Sequence, residues 1–346
     1  MSTNLSEAAA QAANAFGLKN PLVEPVSQGL IHHTFKAESA NGSCLIQKIN
    51  TQVFTRPEVI VQNYLAIYNH LSKKQLFLPK PIKTISEEYL YFDKSGVWRA
   101  TAYVAEAGPL SKPLAREHAY AAAACFAQYS AALRDLKTYM LTPAIPEFHN
   151  LQIRFHQFEE ACRNDNAGRL KKLKQVADQL LKRNHYVQLF NSLQHDDGVP
   201  LRLMHCDCKI SNLLFSQNTL TPICPVDWDT AMPGYFFSDI GDLIRTATPT
   251  LPESDWRVEE LDIRKDIYEA IIQAFAAFSD FTPREKELIH CAGLLMTYMQ
   301  TLRFATDYLN GDVYYATAYP EQNYHRTANQ LTLLKKLEAF TEEMTP

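Results

Sequence analysis

The chain has 346 residues, 46% of them hydrophobic and 21% charged, an ordinary globular composition with length enough for two lobes. A formal net charge of -4 supplies no basic field that would draw nucleic acid or an anionic membrane, so neither is expected as a partner. Seven cysteines without a regular framework, no basic and apolar leader in the opening residues, and a most apolar run (119–133) interrupted by Tyr120, Gln128, Tyr129 and Ser130 together point to a soluble, cytoplasmic protein.

In chain order, the first hundred residues are strand-rich. Leu22 to Val26 reads as a short strand, and Thr34 to Ala37 runs toward an Asn41-Gly42 pair, a strong hairpin signal between extended segments. Cys44 to Ile49 forms the returning strand. Pro57 suits a first helical position, and Val59, Ile60, Tyr64, Ile67 and Leu71 follow at helical spacing. Two more extended segments, Tyr89 to Phe92 and Trp98 to Val104, flank a turn at 93–96. Ala105 to Pro113 then reads as a linker. Beyond it the pattern becomes helical, over 115–135, 150–194, 257–278, 283–309 and 320–342, broken by one extended island, Leu201 to Asp229. The expected fold is α+β and bilobal: a small antiparallel-sheet N-lobe over 1–105, and a helical C-lobe over 106–346 that carries one hairpin.

The island holds the chemistry. His205-Cys206-Asp207-Cys208-Lys209-Ile210-Ser211-Asn212 is an H-x-D-x-x-x-x-N run followed by an apolar strand, a turn, and Val226-Asp227-Trp228-Asp229. Phosphoryl transfer gives these types a use at this spacing. Asp207 is the candidate catalytic residue, orienting an acceptor hydroxyl and taking its proton. Asn212 and Asp227 are the candidate Mg²⁺ ligands, because that ion prefers hard oxygen donors. His205 is expected to anchor the loop rather than react. Asp229 reads equally as a metal-side residue or a turn cap. Asp239 and Asp242 share a helix face and are expected to brace the loop.

This island resembles the catalytic hairpin of the aminoglycoside phosphotransferase and choline kinase superfamily, relatives of protein kinases with the same bilobal fold. Gly29-Leu30-Ile31-His32-His33-Thr34-Phe35 resembles that superfamily's nucleotide loop. Ile46-Gln47-Lys48-Ile49-Asn50, Asp227 to Gly234, Asp239 to Arg245 and Arg303 to Asp312 are similar to one branch, the bacterial N-acetylhexosamine 1-kinases. The resemblance implies ATP and Mg²⁺ as cofactors and a small-molecule hydroxyl acceptor, with the anomeric hydroxyl of an amino sugar as the branch's suggestion. It further implies nucleotide contacts from Gly29, His32 and Lys48, a hinge at Tyr103 and Val104, and acceptor contacts from Arg303 and Asp307. Strand alternation leaves open whether Gln47 or Lys48 faces the nucleotide. Glu58 is the sole acid in the following helix, and whether it pairs with Lys48 is open too.

Three other readings stand beside this one. Choline, ethanolamine, homoserine and aminoglycosides are alternative acceptors. A nucleotide-binding protein without turnover is motivated by the single-glycine loop. A zinc site using Cys206 and Cys208 would need further ligands, which the sequence does not offer at finger-like spacing.

Overall fold

The computed structural model describes residues 2–26 and 31–344. A helix the sequence pattern did not signal, α1 (Ser2–Ala15), opens the chain. Its alanines carry almost no periodic contrast, yet Ala8, Ala9, Ala12 and Ala13 are buried against the sheet. That sheet is antiparallel: β1 (Leu22–Pro25), β2 (His33–Ser39), β3 (Gly42–Ile49), β4 (Pro81–Ile82), β5 (Tyr91–Asp93) and β6 (Gly96–Ala102), in the order β1-β2-β3-β6-β4 with β5 also on β6. The Asn41-Gly42 turn joins β2 to β3 as the sequence predicts, with Gly42 at φ +141. Helix α2 (Pro57–Lys73) begins with its proline in the first turn.

Strand alternation sorts β3 into two faces. Cys44 and Ile46 face α1 in a cluster with Phe35, Trp98 and Ala100, whereas Leu45 and Gln47 face a cleft beneath the sheet. Residues 103–106 then lead into β7 (Ala107–Gly108) and the helical body.

The body comprises α3 (Arg116–Ala132), α4 (Leu151–Asn164), α5 (Leu170–Leu181), α6 (His185–Leu193), α7 (Phe237–Ala247), α8 (Lys265–Phe278), α9 (Pro283–Glu287), α10 (Cys291–Leu309) and α11 (Gln322–Met344). The single helix expected over 150–194 is three helices. Asp165 closes α4 in the left-handed region (φ 41), and its carboxylate accepts the N–H groups of Arg169 and Leu170 at 2.7 and 2.9 Å, which starts α5 in a new direction. The helix expected over 283–309 is likewise α9 and α10. Inside α7, Gly241 sits against α10 so closely that a Cβ would overlap the Ala292 carbonyl. Only glycine permits this approach, and it fixes the flanking Asp239 and Asp242.

Between α6 and α7 lie two nested antiparallel ladders. Strands β8 (Arg202–Met204) and β11 (Met232–Gly234) pair at the base, and β9 (Leu213–Ser216) pairs with β10 (Pro222–Pro225) beyond them. The loops between the ladders, 205–212 and 226–231, are thereby forced side by side. Arg202 anchors the base through Nε and Nη2 to the fully buried Glu285 carboxylate, at 2.7 and 2.5 Å. No helix among the described residues is long and apolar enough to cross a membrane.

Candidate active site

The first loop is held from behind. Asp239 accepts the backbone N–H groups of His205 (3.0 Å) and Cys206 (2.8 Å), which secures Cys206 in the left-handed region at φ 61. His205 donates from Nε2 to the Val226 carbonyl at 2.9 Å, tying the two loops together. Its ring lies edge-on to Phe126 and 4.6 Å from Trp228, so it is packed rather than presented to the cleft. Cys206 packs with Met204 and Met232, whereas Cys208 enters the main core. Burial raises both thiols well above their ordinary value, so they stay protonated hydrophobes.

Asp207 and Asn212 are joined within this loop. Asn212 Nδ2 donates to the Asp207 carbonyl (2.9 Å) and to Oδ2 (2.7 Å), and Lys209 Nζ stands 2.7 Å from Oδ1. Burial alone would raise the Asp207 carboxyl, but Lys209, His205 and the Asn212 amide outweigh it and hold the group below the usual carboxylate range. Because the Asn212 nitrogen is spent on Asp207, its Oδ1 remains as an acceptor aimed elsewhere.

The second loop carries two aspartates with opposite surroundings. Asp227 sits at φ 63, ψ 55, and its exposed side chain opens into the cleft. The protein-lined setting, then the Asp229 and Asp207 charges, push its carboxyl upward. Asp229 is 3% exposed and fully engaged. Arg99 Nη1 and Nη2 reach its two oxygens at 2.5 and 2.8 Å, and His32 Nε2 donates at 2.7 Å. His32 Nδ1 accepts the Asn50 N–H at 3.0 Å, so Nε2 is the ring nitrogen that donates. Against the burial that would raise it, Arg99 and His32 hold the Asp229 carboxyl far below the ordinary range. Gln47 completes the cluster, accepting from Arg99 Nε at 2.9 Å and donating to Thr34 Oγ1 at 3.2 Å.

Gln47, Arg99, Asn212, Asp227 and Asp229 border a cleft of ≈ 520 Å³ under the sheet together with Lys36, Tyr103 and Val104, whereas Asp207 and His32 are not part of its lining. Lys48 is absent from that lining, which corrects the expectation of a nucleotide contact. Its neighbours in register put it on the α1 side of β3, with its stem against Gly96. Glu58 and Gln62 are both exposed on α2, so no acid from that helix enters the cleft. Two cations stand on this wall: Lys36 from β2, paired with Glu38 of its own strand, and Arg99 from β6, whose carboxylate partner comes from the opposite lobe. An Arg-x₁₂₉-Asp pairing has no local signature, and sequence reasoning missed it. Gly29 lies outside the described residues.

Arg303 and Asp307 border a second cavity of ≈ 530 Å³, between α4, α10 and the 310–315 turn. Asp307 is not free to bind an acceptor, which corrects that expectation. Its Oδ1 accepts the N–H groups of Val313 (2.9 Å) and Tyr314 (2.7 Å), and its Oδ2 those of Tyr315 (3.0 Å) and the Asn323 amide (2.8 Å). With both lone pairs of each oxygen used, it organises the turn. Arg303 is held instead among three aromatic rings, Phe148, Tyr314 and Tyr315, with centroid distances of 4.7 to 5.6 Å.

Asp227 feels the charges of both Asp229 and Asp207 and shares the cleft lining with Asn212, a set of oxygen donors that suits a hard divalent cation, which would relieve the mutual repulsion. Among the described residues, the set of three clustered metal-capable groups is His32, Asp227 and Asp229. Asp229 and His32 are already consumed by Arg99, Asn50 and each other, which leaves Asp227 and Asn212 as available oxygens.

The model of the phosphotransferase enzyme family matches residues 22–266. The fold is similar to that of a microcompartment-associated aminopropanol kinase (TM-score 0.63, 13% identity, covering 97% of this chain and 98% of that one). It is also similar to an amicoumacin kinase solved with AMP-PNP and Ca²⁺ (0.60, 13%, covering 100% and 94%). A third similar structure is an aminoglycoside phosphotransferase from Alicyclobacillus acidocaldarius (0.59, 14%, covering 96% and 94%).

Proposed function

The chain belongs to the phosphotransferase enzyme family, and from that premise we propose that it is a Mg²⁺- and ATP-dependent kinase for a sugar hydroxyl, the anomeric hydroxyl of an N-acetylhexosamine or related amino sugar being the first candidate. One observation carries the reading: Asp207 is held ionised beside Asn212 while Asp227 opens to the same cleft. Asp207 accepts a hydrogen bond from the acceptor hydroxyl and takes its proton as the new O–P bond forms. Lys209 keeps that carboxylate charged and turned toward its loop. Asn212 Oδ1 and Asp227 would hold Mg²⁺, which supplies charge neutralisation on the phosphates.

On the facing wall, Arg99 takes the place that a lysine on the third strand would have. Three of its five N–H donors are fixed by Asp229 and Gln47, and two remain for a phosphate oxygen. Tyr103 and Val104 line the cleft where the lobes join, a setting that suits backbone contacts to a nucleobase. The nucleotide-binding unit is read as ending at residue 105. The sugar preference rests on the sequence resemblance of Ile46 to Asn50, Asp227 to Gly234, Asp239 to Arg245 and Arg303 to Asp312.

ADP release with Mg-ATP tests the reading. The acceptors are N-acetylglucosamine, N-acetylgalactosamine, glucosamine, choline, ethanolamine, homoserine and kanamycin, with Asp207→Asn as control. Turnover on an N-acetylhexosamine that disappears in the control is expected. Turnover only on an amine alcohol would keep the chemistry and sink the sugar assignment. The second reading, a nucleotide-binding protein without turnover, is favoured by one feature, an amide at the cleft-facing position of β3. Mg-ATP binding with no phosphate transfer to any acceptor would support it.

A further inference from the structure

On the acceptor side of Asp207, each nearby carboxylate already has its partner. Asp207 is paired with Lys209, and Asp242 with Arg245 at 2.7 Å. Glu253 meets the same Arg245, Asp307 is saturated by four N–H groups, and Asp312 is 2.5 Å from Arg169. Beyond these, an acceptor carrying an ammonium group would meet the exposed Glu160 as the one lining carboxylate without an ion-pair partner among the described residues.

The cations are in the opposite condition. Arg303 donates to Gln300 Oε1 at 2.9 Å and comes within 3.5 Å of the Tyr314 hydroxyl, both neutral groups. Arg154 donates to the Phe148 and Glu147 carbonyls and to Gln157, again without a carboxylate. Among the described residues, neither guanidinium has an ion-pair partner, although both line the same ≈ 530 Å³ cavity. Glu160, exposed on α4, is the remaining acid on that lining.

The two charges also oppose each other. Burial first, then Arg303, lowers the Arg154 guanidinium to about 10. Two uncompensated guanidinium groups in one cavity are costly unless an anion joins them. His149 links this region to the reaction centre. Its ring stacks on Phe148, over which Arg303 lies, and it feels the charges of both Arg303 and Asp207. Its Nδ1 is buried without a partner. Burial and then Arg303 lower the imidazole to about 3, so it is a neutral donor or acceptor at physiological pH.

We propose that the sugar acceptor carries an anionic substituent, a carboxylate or a phosphate, bound by Arg303 with Arg154 supplying supporting charge. This rests on the kinase reading above and names the acceptor class for the same site.

The test compares matched acceptors: N-acetylglucosamine against its 6-phosphate, and glucose against glucuronate, in the wild type, Arg303→Gln and Arg303→Lys, with melting curves as folding controls. Losing one charge-assisted contact changes binding by about 10- to 100-fold. The expected result is at least about a tenfold kcat/KM preference for an acidic member of a pair, expressed mainly in KM, collapsed by Arg303→Gln and partly kept by Arg303→Lys. Equal or better use of the neutral members, or a preference that survives Arg303→Gln, overturns the proposal and leaves the kinase reading intact.

A direct titration decides the matter if none of these acceptors turns over. Inorganic phosphate is added by calorimetry to protein whose cleft is filled with Mg²⁺ and AMP-PNP. Saturable binding weakened about tenfold or more by Arg303→Gln supports the site. No binding, or binding indifferent to Arg303, overturns it. Failure of the kinase reading is seen separately, as absence of Mg-nucleotide binding in that same preparation before phosphate is added.

Discussion

The two walls of the cleft are built in different ways. The lower wall comes from one continuous stretch, residues 203–234, in which two nested ladders force two short loops together. The upper wall carries Gln47 and Arg99 on separate strands, with His32 just ahead of β2 joining them through Asp229 from the other lobe, which fixes the charge. One wall depends on local spacing, the other on an ion pair spanning 130 positions of sequence. Local geometry therefore sets the chemistry, and the cross-lobe pair sets how the lobes face each other.

The contrast is sharpened first by Asp207→Asn. On the lower wall this removes the proposed general base, so kcat should fall roughly 10²- to 10⁴-fold with the melting temperature little changed. A variant with near-normal kcat would remove Asp207 from the chemistry.

Arg99→Met should do the reverse, acting on stability as much as on turnover. It leaves Asp229 buried without its partner, and breaking a buried pair costs about 3–5 kcal/mol, readable as a lowered denaturation midpoint. The pH dependence follows from the same pair. Asp229 is depressed in the folded protein, so its contribution is present above the unfolded value near ~4 and is lost as pH falls through the folded value. The stability gap between wild type and Arg99→Met should therefore begin to narrow below about pH 4 and go on narrowing as the pH falls toward the depressed folded value. A gap that stays constant there would mean the pair is not what holds the lobes.

Asp307→Ala should cost about 1–3 kcal/mol, because three backbone N–H groups and the Asn323 amide lose their acceptor. Its effect on turnover should appear through the displaced Tyr314 and Tyr315. Gln47→Ala removes one contact to Arg99 and should cost about 1 kcal/mol, with a raised KM for ATP. Lys48→Ala, one residue along the same strand, should stay within about 0.5 kcal/mol of wild type and leave that KM alone. If Lys48→Ala harms ATP use and Gln47→Ala does not, the assignment of the two faces of β3 is wrong.

Much of this protein was legible in its sequence wherever a signal is local. The Asn41-Gly42 turn, the proline start of α2 and the H-x-D-x-x-x-x-N run each depend on residues within a few positions of one another, so each can be read before folding. The break of 150–194 into three helices was less legible, because Asp165 and Gly168 act through left-handed conformations that apolar periodicity does not register. Helix α1 escaped because alanine fits the face of a sheet without making a contrast of hydrophobic and polar positions.

The sequence by itself determined the α+β composition, the strand-rich first part followed by a helical body, and the placing of Asp207, Asn212 and Asp227 on adjoining loops, since hydrogen-bond ladders and turn chemistry act over short chain distances. Only the tertiary structure decided which side of β3 faces the cleft, that Arg99 rather than Lys48 supplies its cation, and that Asp307 is consumed while Arg303 is left without a counter-charge. Those outcomes depend on which groups meet after distant segments pack, and Coulomb attraction and desolvation act on distance through space, which the order of residues does not encode.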